Sequence, residues 1–332
     1  MGDLFKTKVA IAESKNKIEY ADHLLFIGSC FAENIGSRFT ERLFNAMVNP
    51  FGVVYNPASV SNTLEDIIQK RLMSDAEVAY HNFLWHSFRL HGSFSSTDRD
   101  KLIENANQTL SLAHQHLKKT KTLVVTFGTA WVFWLKSTNK IVANCHKYPA
   151  ATFERSMLSV EDIVHQWQGT IQQLRTFNPA IRIIFTISPV RHWKDGAHGN
   201  NLSKATLLLA VEQLINQDTT LEYFPAYEIM MDELRDYRFY ADDMLHPSNL
   251  AQSYIFDCFT QAYLSRQALT FGQESNKLAN ALNHRPLQGL TAEHHQFIQK
   301  TIEKIEAFQA QYPLIDANIF LKKAKAVFND SN

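Results

Sequence analysis

The strongest constraint on the fold is a rhythm. Five short runs rich in aliphatic and aromatic residues, 23–28, 51–55, 121–127, 181–187 and 221–225, alternate with stretches of helical periodicity. Runs this short that are apolar at nearly every position suit strands buried on both faces. After the first run, Phe31, Ile35, Phe39 and Leu43 recur every four residues and define one helix face. After the second, Asn56-Pro57 supplies a cap and a first-turn proline ahead of Val60, Leu64, Ile67 and Ile68. Ser96 to Thr120 reads as a long amphipathic helix, and Ser159 with Glu161 and Asp162 opens another that Asn178-Pro179 ends. Further helices are expected from about Asn201 to Ile215 and from near Ser248. This alternation argues an α/β chain with a doubly wound, mostly parallel five-stranded sheet in a three-layer sandwich.

Two segments break the rhythm: 128–158, with the aromatic run Trp131-Val132-Phe133-Trp134, and the polar loop 190–200 with His192, Asp195, His198 and Asn200. Both are expected as elaborations on the carboxyl edge of the sheet. From Thr291, the spacing of Phe297, Ile298, Ile302, Ile305 and Phe308 marks a long helix, and Pro313 starts a shorter one. The expected organisation is an α/β domain over 1–270 and a helical C-terminal extension over 271–332, the latter a candidate surface for association of copies. The 332 residues are ample for such a core.

Charge argues against some partners. Lys plus Arg and Asp plus Glu number 33 each, so no net field draws the chain to nucleic acid or anionic lipid, and small molecules are the default partners. Cys30, Cys145 and Cys258 are too few and too scattered for a disulfide framework and fit free thiols in a reducing compartment. Met1–Lys8 holds no apolar leader core, Lys6 spoils a myristoylation pattern at Gly2, and no stretch approaches about 18 uncharged apolar residues. A cytoplasmic protein is the expectation.

Chemistry is concentrated in two places. Leu24-Leu25-Phe26-Ile27-Gly28-Ser29-Cys30 ends a buried run on a glycine and sets a hydroxyl and a thiol at the start of a helix. A glycine there permits a sharp turn, and the helix's first N–H groups can stabilise an oxyanion or favour a thiolate. Far downstream, Tyr240-Ala241-Asp242-Asp243-Met244-Leu245-His246-Pro247 spaces Asp243 and His246 three apart, so the carboxylate can accept a ring hydrogen bond and fix the tautomer of a general base. The same pattern also arises in ordinary helix-start turns.

Together these stretches resemble the SGNH, or GDSL-like, hydrolase superfamily, and more closely the GSCFA family, whose motif stands here as Gly28-Ser29-Cys30-Phe31-Ala32. The resemblance extends through Asn49-Pro50-Phe51-Gly52, Tyr55-Asn56-Pro57, Phe127-Gly128-Thr129-Ala130, Asn144-Cys145-His146-Lys147, Ser188-Pro189-Val190-Arg191-His192 and Leu234-Arg235-Asp236-Tyr237-Arg238-Phe239-Tyr240. It covers roughly residues 20–265 and implies a flavodoxin-like sandwich. It also implies acyl hydrolase or acyltransferase chemistry on small acyl esters, acylated sugars among them, with no cofactor. In the ungapped register Cys30 falls on the nucleophile and Ser29 where the superfamily has Asp; a one-residue shift makes Ser29 the nucleophile. His246 would be the base and Asp243 its orienter. The superfamily's second-block glycine corresponds to Gly52, but its third-block Gly-x-Asn appears as Gly128-Thr129-Ala130, so Thr129 or Asn144 would have to supply the missing donor.

Other residues have plainer alternatives. His146 and His192 are substrate-binding candidates, and with His198 they are equally readable as solvated loop histidines. Cys145 and Cys258 read as buried thiols, and Trp131 to Trp134 as a pocket wall or as packing. Arg235, Asp236 and Arg238 read as an ion-pair scaffold or an anion clamp. No metal-ligand spacing supports a metal site. A non-catalytic carbohydrate- or metabolite-binding protein on the same scaffold is the rival reading, motivated by the altered third block.

Overall fold

The computed structural model describes residues 6–283 and 292–329; the expected helix start at Thr291 and the residue Gly2 lie outside them. The chain begins with β1 (His23–Gly28), α1 (Cys30–Thr40), β2 (Ala46–Val48) and α2 (Pro57–Gln69), followed by the hairpin β3 (Ala79–His81) and β4 (Leu84–His86). It continues with α3 (Arg99–Lys119), β5 (Thr120–Phe127), β6 (Trp131–Leu135), β7 (Lys140–Val142), β8 (Phe153–Met157) and α4 (Val160–Phe177). Then come β9 (Arg182–Ile187), α5 (Gly196–Gln217), β10 (Glu222–Phe224), a short α6 (Ala226–Glu228) running into a π-helical turn at Ile229–Glu233, and α7 (Asn249–Tyr263). The last described elements are α8 (Arg266–Asn283), α9 (Ala292–Gln311) and α10 (Asn318–Asn329).

The central sheet has the order β2-β1-β5-β9-β10, and all four pairings are parallel. Counted along the chain, this is the 2-1-3-4-5 arrangement of flavodoxin-like sheets, whose strand order reverses between β1 and its third strand, here β5. The carboxyl ends of β1 and β5, Gly28 and Phe127, therefore flank the crevice where such sheets place their ligands.

Side-chain alternation along the strands feeds two cores. Leu25, Ile27, Leu123, Val125, Phe127, Ile183, Phe185 and Ile187 face a cluster built with α2, α3, α4 and α5, around the fully buried Trp167. Leu24, Phe26, Val124 and Ile184 face the opposite cluster, built with α1, α7 and the C-terminal helices. Leu278, Leu282, Ile298, Ile302, Ile305, Phe308 and Ile315 belong to that second core, so the C-terminal helices spend their apolar faces on the sheet side. Among the described residues, no helix is long and apolar enough to cross a membrane.

One expectation needs correction. The run 51–55 is not a strand: the edge strand is Ala46–Val48, and residues 51–55 form a buried loop pinned to β1 by Val54 N–H donating to Gly28 O at 3.0 Å. Gly52, at φ +80°, turns the chain there, and its N–H is spent on Asn49 O at 2.7 Å. The segment 128–158 is an antiparallel sheet in the order β7-β6-β8. Within it the Arg155 guanidinium lies 4.2 Å from the Trp131 ring centroid, and Trp134 Nε1 donates to Ser156 Oγ at 2.9 Å.

Candidate active site

The turn after β1 is made possible by Gly28. Its φ is +135°, and a Cβ there would stand 2.0 Å from Thr126 O of β5. Gly28→Ala is therefore expected to push β1 and β5 apart and to lower stability by roughly 3 kcal/mol or more, combining backbone strain with overpacking. Denaturant unfolding checks this, and a midpoint within that of the unaltered protein would show that the turn tolerates a side chain.

Ser29 and Cys30 have different environments. Ser29 is 1% exposed and is the N-cap of α1, its Oγ accepting from Phe31 N–H at 3.3 Å. Cys30 is the first residue of α1 and is half-buried. Burial pushes its thiol above the ordinary range, against the downward pull of the Lys204 charge and of the Phe31 and Cys30 N–H groups. The helix N-terminus alone thus does not make a thiolate of the resting side chain.

Gly128, just past the end of β5, is where the surrounding elements meet. A Cβ added to it would lie 3.2 Å from Ser29 Cβ, 3.2 Å from His192 Nε2 and 3.1 Å from Tyr55 O. Its N–H donates to Tyr55 O at 2.7 Å, and Thr129 N–H shares that acceptor at 3.1 Å. His192 is held over this point by its N–H to Asn200 Oδ1 at 2.9 Å and by edge-on contact with Tyr55, ring centroids 5.6 Å apart. Burial, with the Lys204 charge next, lowers the His192 pKa to about 4, so the ring is neutral near pH 7. The dyad loop meets this region through one groove, lined both by Arg191 and Trp193, the chain neighbours of His192, and by Asp243, Met244 and Leu245.

In that dyad it is Asp243, not Asp242, that meets the ring. Asp243 Oδ2 accepts from His246 Nδ1 at 2.5 Å, while Oδ1 accepts the N–H groups of Leu245 and His246, both at 2.9 Å. The hairpin-like loop closes through Ala241 N–H to His246 O at 2.7 Å, with Met244 at φ +59° in the turn. The two backbone donors, His246 N–H first, and then the ring hold the Asp243 carboxyl at about 2. Binding Nδ1 in this way leaves Nε2 as the working nitrogen. A groove of about 450 Å³ lined by Arg191, Trp193, Tyr237, Tyr240, Asp243 and Met244 runs beside the dyad.

The remaining candidates are spread over several roles. Thr129 Oγ1 faces Ser203 Oγ at 3.1 Å and accepts from Trp131 N–H at 3.2 Å, and it is 8% exposed. A Cβ on Gly52 would collide with His91, 2.3 Å from its Cβ. Asn144 Oδ1 caps His146 N–H at 2.8 Å, and His146 Nε2 bonds Ser87 O at 2.8 Å while its ring stacks on His86, centroids 4.6 Å apart. His198 is exposed at the start of α5. Arg238 pairs with Asp236 at 3.5 Å, and Arg235 with Asp232 at 3.6 Å. Among the described residues, no group of three or more His, Cys, Asp or Glu side chains is arranged to hold a metal ion.

Three side chains that sequence reading did not single out as site residues also belong here. Lys204 is 1% exposed, with Nζ donating to Gly128 O and Ser188 O, each at 2.7 Å. Ser203 Oγ accepts from Ala130 N–H at 2.8 Å. Asn49 Oδ1 accepts from Gly28 N–H at 2.8 Å. A signal existed for the first two: Asn200, Ser203, Lys204, Leu207, Val211 and Leu214 share one face of α5.

The architecture is that of a parallel α/β protein whose candidate chemistry gathers at the carboxyl edge, around the point where strand order reverses. Within that class the chain belongs to the GSCFA family, whose model matches residues 23–259; residues 275–323 match the GSCFA domain protein, C-terminal domain. No curated protein matches the chain.

Proposed function

We propose that this protein is an acyl hydrolase or acyltransferase working through an acyl-enzyme on Cys30, with Ser29 the alternative nucleophile, His246 the general base and Asp243 its orienter. The observation that carries the reading is the 2.5 Å Asp243–His246 contact, on a loop that shares a groove with Arg191 and Trp193, the chain neighbours of His192. A carboxylate that fixes the ring tautomer is what a base needs and what a merely solvated histidine lacks. The resemblance of Gly28-Ser29-Cys30 and Asp243 to Pro247 to the SGNH superfamily supports the same assignment.

In this reading His246 Nε2 takes the thiol proton as Cys30 Sγ attacks the acyl carbonyl. The oxyanion is met by the Cys30 N–H at the start of α1 and by the neutral His192 ring. Collapse expels the alcohol, which receives the proton from His246. Water or a second alcohol, deprotonated by His246, then releases the acyl group from the thioester. Small acyl esters, including acylated sugars, suit the groove beside the dyad, where Trp193, Tyr237 and Tyr240 offer stacking faces and Arg191 a polar handle.

A non-catalytic metabolite-binding role is the second reading, favoured by one observation: the Thr129 hydroxyl and the Gly52 N–H are engaged within the protein rather than unspent. Reaction with p-nitrophenyl acetate separates the two. The acyl-enzyme reading expects a burst of p-nitrophenol matching the enzyme concentration. It also expects one acetyl group on the peptide carrying Ser29 and Cys30, removable by neutral hydroxylamine as a thioester is. Absence of burst, adduct and turnover with small acyl esters, together with measurable binding of an acylated sugar, would leave the binding reading.

A further inference from the structure

Arg191 carries a charge that the fold does not answer. It stands half-buried in the loop between β9 and α5. Its Nη2 donates to Asn201 Oδ1 at 3.1 Å, and the guanidinium lies 5.5 Å from the Trp193 ring centroid. Nε is buried and bonds none of the described residues. No carboxylate among the described residues pairs with Arg191: Asp195 of the same loop is taken by Arg155, Asp236 of the groove wall by Arg238 at 3.5 Å, and Asp243 by His246 at 2.5 Å. Arg235, the other arginine of that wall, is tied to its own turn, with Nε donating to Asp232 O at 2.9 Å and Nη2 3.6 Å from Asp232 Oδ1. Holding a guanidinium partly out of water with no counter-charge and a buried donor unspent costs stability. Packing gives no return for that cost.

The position of Arg191 suggests what does. It lines the groove of about 450 Å³ that also has Asp243 of the dyad in its wall, a size suited to a small molecule. The apolar side of that groove is open to a ligand: Trp193, Tyr237 and Met244 all line it and are all exposed. One unanswered cation beside an aromatic and thioether surface fits a ligand with an apolar or planar body that ends in an oxyanion.

We propose that the groove takes an anionic acyl ester, its carboxylate or phosphate group held by the Arg191 guanidinium while its body lies against Trp193 and Tyr237. The proposal names the substrate class of the acyl-transfer reading and rests on that reading for the ester bond; the preference for an anion is a property of the groove itself. Asn201 takes one Nη2 hydrogen, which leaves Nη1 and the second Nη2 hydrogen for two oxygens of one anion, the paired geometry that a guanidinium favours and an ammonium cannot copy. Arg191 thus selects the substrate and takes no part in proton transfer.

Binding without turnover tests this on the full chain. Benzoate, phenyl phosphate and the neutral benzamide are titrated calorimetrically into the unaltered protein, Arg191→Gln and Arg191→Lys. At least one of the two anions should bind about tenfold or more tighter than benzamide, with the advantage falling to about twofold or less in Arg191→Gln and partly kept in Arg191→Lys. The tighter anion tells carboxylate from phosphate, and it should inhibit turnover of p-nitrophenyl acetate competitively. Equal binding of benzamide and both anions to the unaltered protein overturns the proposal, even if Arg191→Gln fails to fold. So does an undiminished anion advantage in a folded Arg191→Gln, or inhibition that is not competitive. Failure of the acyl-transfer reading looks different: no burst of p-nitrophenol from p-nitrophenyl acetate, with the anion advantage and its loss in Arg191→Gln both intact.

Discussion

His246→Ala is expected to lower kcat for acyl transfer by roughly 10³- to 10⁴-fold, the range associated with losing a general base that acts in both half-reactions. The protein should stay folded. The Asp243 and His246 side chains are 48% and 46% exposed, and exposed ion pairs add little to stability, so the thermal midpoint should change by no more than a few degrees. Asp243→Asn should reduce kcat less, since Leu245 and His246 N–H groups still order the loop through the amide oxygen, but the ring loses its charged orienter. The sign of the pH dependence follows from the depressed carboxyl. Asp243 is ionised in the folded protein down to about pH 2, below its ordinary value of 3.8, so what it contributes is complete above pH 4 and fades only as pH falls through about 2. An acid limb in the rate profile above pH 4 would then have to belong to another group. An unchanged kcat/KM in His246→Ala on the best acyl ester would remove the base from the mechanism.

The parts of this molecule legible in its sequence are those where one local rule decides the outcome. Phe31, Ile35 and Phe39 share a helix face because their spacing permits nothing else, and Ser159 with Asp162 forms its capping box as those residue types do. Gly28 before a hydroxyl and a thiol signalled a turn because a side chain there would strike Thr126 O. The same logic misled at 51–55. An apolar run reports burial, and burial alone does not say whether the backbone pairs with a neighbour or loops across a core. Val54 is buried and hydrogen-bonded to β1, yet Gly52 has turned the chain out of strand geometry, while the three-residue Ala46–Val48 carried too little pattern to compete.

Residues 128–158 hid their sheet for a related reason: β6, β7 and β8 pair with each other, and cross-strand register is a non-local property. Among the site residues, Asp243 and His246 were visible because they are three apart. Lys204 was not, since a lone lysine inside a helical stretch ordinarily marks the solvated side. Only its i, i+3 and i+7 relation to Leu207 and Val211 showed that it shares the buried face. His192 was singled out as a loop histidine, but its enclosure by Tyr55, Gly128 and Asn200 depends on three elements far apart in the chain.

Cys30→Ala is expected to abolish acyl transfer, a loss of roughly 10⁴-fold or more, whereas Ser29→Ala should keep activity within about tenfold. The difference follows from what each side chain already does. Ser29 Oγ is turned onto the helix end, accepting from Phe31 N–H in a position 1% exposed, so its removal costs about 1 kcal/mol of capping and little chemistry. Cys30 Sγ is half-buried, one residue on, with the Phe31 and Cys30 N–H groups favouring its anion against burial that opposes it. That balance makes a thiol that is quiet at rest and ionises when His246 removes its proton, which differs from a standing thiolate at neutral pH. Brief iodoacetamide treatment at pH 7 should accordingly label Cys30 slowly. Labelling should rise steeply with pH, and prior acetylation by p-nitrophenyl acetate should block it. The shifted register predicts the reverse pattern: Ser29→Ala inactive, Cys30→Ala active, and an acetyl group that resists neutral hydroxylamine as an oxygen ester does. Full activity in Cys30→Ala would move the nucleophile to Ser29 and leave the thiol as packing at the start of α1.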